Sequence, residues 1–66
     1  MTSFTNWSGN QITYKPFFQT SLNVWRIARY EDGELDMVHE QISYDNEDDC
    51  MLACMLKVSA ILAINA

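Results

Sequence analysis

At 66 residues the chain is a single small domain, of a size that buries only about 60% of its unfolded surface on folding, so its own core is marginal. Its 48% hydrophobic content and 12% aromatic content exclude a disordered chain. A net charge of −5, from nine Asp and Glu against four Lys and Arg, disfavours direct contact with nucleic acid, whose phosphates need cations.

No basic segment followed by an apolar stretch stands at the start, so no signal peptide is expected and the expected location is the cytoplasm. Residues 1–10 read as an N-terminal arm, with Phe4 and Trp7 among small polar residues and a turn over 6–10. Residues 11–44 read as an antiparallel sheet. Ile12 and Tyr14 alternate as in a short strand before Pro16, a candidate third strand beside the hairpin, and proline, with no N–H to give a ladder, favours a sheet edge or a strand end. No linker or internal repeat divides the chain.

Residues 22–44 carry the firmest strand signal. Two stretches rich in β-branched and aromatic residues flank Asp32-Gly33, the dipeptide that best fits a two-residue hairpin loop. Such a loop sets Arg29 opposite Asp36 and Ile27 opposite Val38, whereas a three-residue loop with a bulge at Gly33 sets Ile27 opposite Met37. In both registers Trp25 and Ile27 share the strand face expected under a helix, and Arg26, Ala28 and Tyr30 point to the open face.

That helix is expected over residues 46–65. Asp45 or Asn46 can cap it, and Glu47, Asp48 and Asp49 put negative charge at the positive end of its dipole. On a helical wheel Met51, Cys54, Met55, Val58, Ile61 and Leu62 form one apolar face that Leu52 and Leu56 widen. Asp49, Lys57, Ala53 and Ala60 are left as a narrow polar strip. The apolar run over 50–64 is broken by Lys57 and falls short of the roughly 20 residues of a membrane span. An arc this wide predicts burial by the sheet and by a second copy of the chain, a homodimer with Met51, Met55, Val58 and Leu62 near the contact. The whole reading is α+β: a small antiparallel sheet covered on one side by one C-terminal helix.

No residue pattern calls for a catalytic site, a metal or a cofactor. Cys50 and Cys54 lie one turn apart on a helix, a poor geometry for a disulfide, and zinc would find only His39 besides them. The acidic stretch from Asp45 to Asp49 lacks the glycine and distal glutamate of a calcium loop. His39 beside Glu40 has no nucleophile spaced to accompany it, so the chain is not expected to be an enzyme.

The informative feature is where the charge falls. All nine carboxylates lie within residues 31–49, and Lys15, Arg26, Arg29 and Lys57 all lie outside that interval. Such segregation creates a local negative field suited to a basic protein surface. The candidate partner-binding residues are therefore Glu31, Asp32, Glu34, Asp36 and Glu40 around the hairpin and Glu47 and Asp48 at the helix start. Asp32-Gly33-Glu34, followed by His39-Glu40-Gln41-Ile42-Ser43 and a C-terminal helix in a very short acidic chain, resembles the small uracil-DNA glycosylase inhibitors of bacteriophages. The resemblance implies a dimer of sheet-plus-helix subunits that mimics DNA. It would fill the basic groove of a nucleic-acid-binding host protein with carboxylates and capture a protruding apolar side chain in a pocket. The alternative expectation is a small structural or assembly subunit, an obligate oligomer through its helix, whose acids serve solubility.

Overall fold

The computed structural model describes residues 1–64 and contains four strands followed by one helix: β1 (Ser3–Thr5), β2 (Gln11–Gln19), β3 (Val24–Glu31), β4 (Glu34–Val38) and α1 (Glu47–Ile64). Each strand pairs antiparallel with its sequence neighbour, giving a sheet of order β1-β2-β3-β4, and α1 lies against β2 and β3. This is the expected α+β architecture, with one strand more than the three anticipated. The extra strand is β1, which brings the N-terminal arm into the sheet by pairing Phe4 with Ile12.

β2 does not stop at Pro16 but continues to Gln19, with Pro16 opposite Ile27 and Phe18 opposite Trp25. The ladder explains why proline is tolerated. Tyr14 turns its N–H to the β1 side, where Thr2 accepts it at 2.8 Å, and two residues on Pro16 turns its nitrogen to that same side. β1 covers only Gln11 to Thr13, so at Pro16 that side of the strand is an open edge and no ladder bond is lost.

The β3–β4 hairpin has the two-residue loop. Glu31 pairs with Glu34, and Asp32 and Gly33 hold φ of 51° and 87°, the double positive that a type I′ turn needs. The register then slips by one residue. Tyr30 faces Leu35 but Arg29 faces Met37, so Asp36 is the extra residue of a bulge, and neither expected pairing for Ile27 and Arg29 is realised. β4 ends at Val38, well short of the second stretch read from the sequence. Beyond it His39 still donates its N–H to Ile27 at 2.8 Å and Tyr44 forms a bridge with Trp25, while the residues between loop out from the edge. Arg26 holds that loop, donating from its guanidinium to the carbonyls of Glu40 at 2.6 Å and Ile42 at 3.3 Å.

Asn46 is the N-cap of α1. Its side-chain oxygen accepts the N–H of Asp49 at 2.8 Å and its amide donates to the Asp49 carboxylate at 3.0 Å, a reciprocal cap on the first turn. Asn65, the last residue of the helix expected from sequence, lies outside the described residues. No described helix is long and apolar enough to cross a membrane.

The core lies between the helix and the β2–β3 face: Ile12, Tyr14 and Ile27 against Cys50, Cys54 and Val58, with Phe4, Trp25, Tyr44, Ala53 and Ile61 around them. Trp25 and Ile27 thus share the helix side as expected. The helix itself is rotated from the wheel reading. Its sheet side is the row Cys50, Ala53, Cys54, Val58 and Ile61, and Lys57 lies half-buried beside it with its ammonium 5.5 Å from the Tyr14 ring centroid. Val58 is fully buried within the chain and therefore cannot line a contact with another subunit, and Met51 is half-buried. Leu52, Met55, Leu56 and Leu62 form the outward side instead.

Candidate functional site

The acidic interval maps onto one side of the sheet. β4 is an edge strand, and the chain runs from the hairpin tip along that edge, through the loop at 40–43, to the start of α1. The carboxylates follow it in sequence: Glu31, Asp32 and Glu34 at the tip, Asp36 on the strand, Glu40 on the loop, then Asp45, Glu47, Asp48 and Asp49. All except Glu31 are exposed. The positions expected from sequence to bind a partner are thus brought onto one continuous margin.

They are not equivalent. Arg29 makes an ion pair with Asp36 and a longer one, 3.4 Å, with Glu31, whose other oxygen accepts from the Asn10 amide at 3.3 Å. Asp32 accepts the Gln11 N–H at 2.9 Å and so ties the hairpin tip to β2. Asp49 is occupied by the Asn46 cap. Among the described residues Glu34, Glu40, Asp45, Glu47 and Asp48 make no side-chain hydrogen bond or ion pair. Five carboxylates are therefore free to meet an external cation, and Glu31, Asp32 and Asp36 are partly spent on holding the hairpin.

Burial of the Arg29 guanidinium works against its charge, but the hydrogen bond to Asp36 and that residue's charge outweigh it and raise the pKa. The opposite balance holds at His39. Its ring stands edge-on to Tyr14 at 5.9 Å between centroids, its Nε2 is buried and has no hydrogen-bond partner among the described residues, and burial followed by the nearby Lys57 charge lowers its pKa. His39 is thus held as a neutral ring.

An open groove of about 420 Å³ adjoins the margin, between the 39–42 loop and the helix, lined by Ile27, Met37, Val38 and Ile42 with His39, Glu40, Gln41 and Lys57. The thiols of Cys50 and Cys54 are free and fully buried. Burial pushes both upward, Cys54 to about 12, which leaves neither as a nucleophile.

Sequence reasoning passed over one residue. Trp7, at the β1–β2 turn, is 103% exposed, more than any other large apolar side chain in the described chain. The turn that carries it is well fixed: the Asn6 side-chain oxygen accepts the N–H groups of Ser8 at 3.0 Å and Asn10 at 2.9 Å, and Gly9 takes a φ of 85°. The Asn-x-Ser-Gly-Asn spacing was the available signal for a rigid, outward-pointing turn.

Comparison with protein-family models, curated proteins and solved structures finds no match to this chain.

Proposed function

We propose that the chain is a small non-enzymatic inhibitor that binds a basic nucleic-acid-binding protein by presenting the β4 edge in place of DNA phosphates. The observation that carries this reading is the line of five free, exposed carboxylates from Glu34 through Glu40 to Asp45, Glu47 and Asp48. An edge strand gains from charge because charge discourages further strand pairing, and the helix start gains from acids through its dipole. Neither need accounts for Glu40, which lies on the loop between them. The groove beside Glu40 adds an apolar recess in which a partner's side chain can be seated, so that charge steers the encounter and apolar burial lengthens it.

Uracil-DNA glycosylase is the first partner to try, given the resemblance of residues 32–34 and 39–43 to its phage inhibitors. The chain should bind the enzyme and compete with DNA, and affinity should fall steeply as salt rises. Changing Glu34 and Glu40 together to Gln should slow association and flatten the salt dependence without loss of fold. Binding that is insensitive both to salt and to this pair, or no binding to any basic DNA-binding protein tested, overturns the reading. A second reading, a structural subunit that assembles through its helix, is favoured by the exposed apolar residues on the outer side of α1.

A further inference from the structure

From the outer side of α1 and the turn that carries Trp7 we infer a single self-complementary surface, on which a second copy of this chain docks with each Trp7 seated in the other's groove. Leu52, Met55, Leu56 and Leu62 are exposed by 55%, 40%, 62% and 37%; the first three fall at three- and four-residue spacings on one helix side and Leu62 follows Met55 by two turns on that side. At the Leu62 end the ridge runs into an open groove of about 690 Å³ lined by Phe4, Thr5, Asn6, Trp7, Arg29 and Leu62. Knob and hollow therefore sit on one patch, the condition for a two-fold contact in which each subunit gives and receives the same residue.

Charge favours a second copy as the occupant. Two chains of net charge −5 repel wherever their acidic margins meet, but no Asp or Glu occurs in residues 1–30 or 50–66, which supply β1, the Trp7 turn and the helix beyond its first turn. Contact through this face keeps both β4 edges outward. It also leaves them free for the proposed partner, although the docking does not depend on that reading. The one cation lining the groove, Arg29, already shares its charge with Asp36 and Glu31.

Area is sufficient only when both parts are used. The ridge from Leu52 to Leu62 is about 17 Å long and about 10 Å wide, roughly 170 Å², well below the ~800 Å² per partner of a standard interface. A buried tryptophan contributes up to about 250 Å² more. Both subunits together then come to roughly 840 Å², to which the groove wall covered by each indole adds, the size of a weak, concentration-dependent contact.

Sedimentation equilibrium of the full chain, with fluorescence of a Trp25→Phe variant in which Trp7 is the sole indole, tests this. The expected result is a monomer–dimer equilibrium in the micromolar range, with Trp7 emission shifting to the blue and losing access to iodide as dimer forms. Leu56→Glu and, separately, Trp7→Ala should each weaken the dimer at least tenfold. Trp7→Ala alters only an exposed turn side chain, so it remains informative if Leu56→Glu disturbs folding. A monomer at several hundred micromolar overturns the inference, as does a dimer in which Trp7 stays open to iodide and both variants associate normally. A monomer whose Trp7 emission shifts only on adding phosphatidylcholine vesicles overturns it in favour of a lipid surface.

Discussion

Asp36 is the extra residue of the β4 bulge, and its carboxylate is held by the guanidinium of Arg29, the residue beside which the register slips. The bulge removes Asp36 from the position directly opposite Arg29, yet the carboxylate still reaches the guanidinium. Two consequences follow for Asp36→Asn. The Asp36 side of the pair is exposed, so its loss should cost no more than about 1 kcal/mol of stability in urea unfolding. Because Asp36 is already paired, its neutralisation should also affect a basic partner's association rate less than Glu34→Gln does, which stopped-flow mixing can compare directly.

The reciprocal cap between Asn46 and Asp49 carries the start of the helix. Asn46→Ala should lower stability by about 1 kcal/mol, the usual loss on removing a good N-cap, and Asn46→Ser should recover most of it. The loss should appear in helical circular dichroism and urea midpoint together. An Ala variant as stable as the parent would mean that the acids of the first turn suffice to organise this end.

Much of this was legible in the sequence, for local reasons. Asp32-Gly33 specifies its turn because few other pairs tolerate positive φ at both positions, and Asn46 followed by acids marks a helix start in any context. What sequence reasoning left open or got wrong depended on neighbours. Pro16 allowed a sheet edge or a strand end, and the shortness of β1 settles it as an edge within a longer strand. The helix orientation was only partly legible: Met55 and Leu62, expected at a contact away from the sheet, are exposed, whereas Val58, grouped with them, is buried and Ala53, assigned to the polar strip, packs on the core. The sheet face already carries Tyr14, Ile12 and Trp25, so the side that fits against it is the one with small residues, Cys50, Ala53 and Cys54. Volume matching decided the rotation, and it left Val58 inside and Leu52 and Leu56 outside. The acidic margin was readable as a charge pattern, but which acids are free was not, since that depends on the reach of Arg29, Gln11 and Asn46.

Cys50 and Cys54 should behave as packing groups. Burial raises both thiol pKa values, that of Cys54 to about 12, and neither sulfur is exposed. The native chain should therefore react negligibly with Ellman's reagent at pH 8 and release two equivalents in denaturant. Fast labelling of the native state would mean that the helix opens readily from the sheet.

The neutral His39 ring ties the stability of the fold to pH. The ring lies against Tyr14 and near Lys57, with a buried Nε2 that has no hydrogen-bond partner among the described residues, and its folded pKa is lowered from the ordinary 6.5 by burial first and the Lys57 charge second. A lowered folded value means that the unfolded chain takes up the proton more readily. The stability associated with the neutral ring is present in full above about pH 6.5 and is lost as the pH falls through that value toward the lower folded one. His39→Phe keeps an aromatic edge against Tyr14 and removes both the titration and the orphan nitrogen. Urea unfolding of parent and variant between pH 7.5 and 5.5 should show the parent losing stability relative to the variant as the pH falls, with the variant equal or more stable at the upper end. Parallel curves across that window would place His39 in solvent contact in solution.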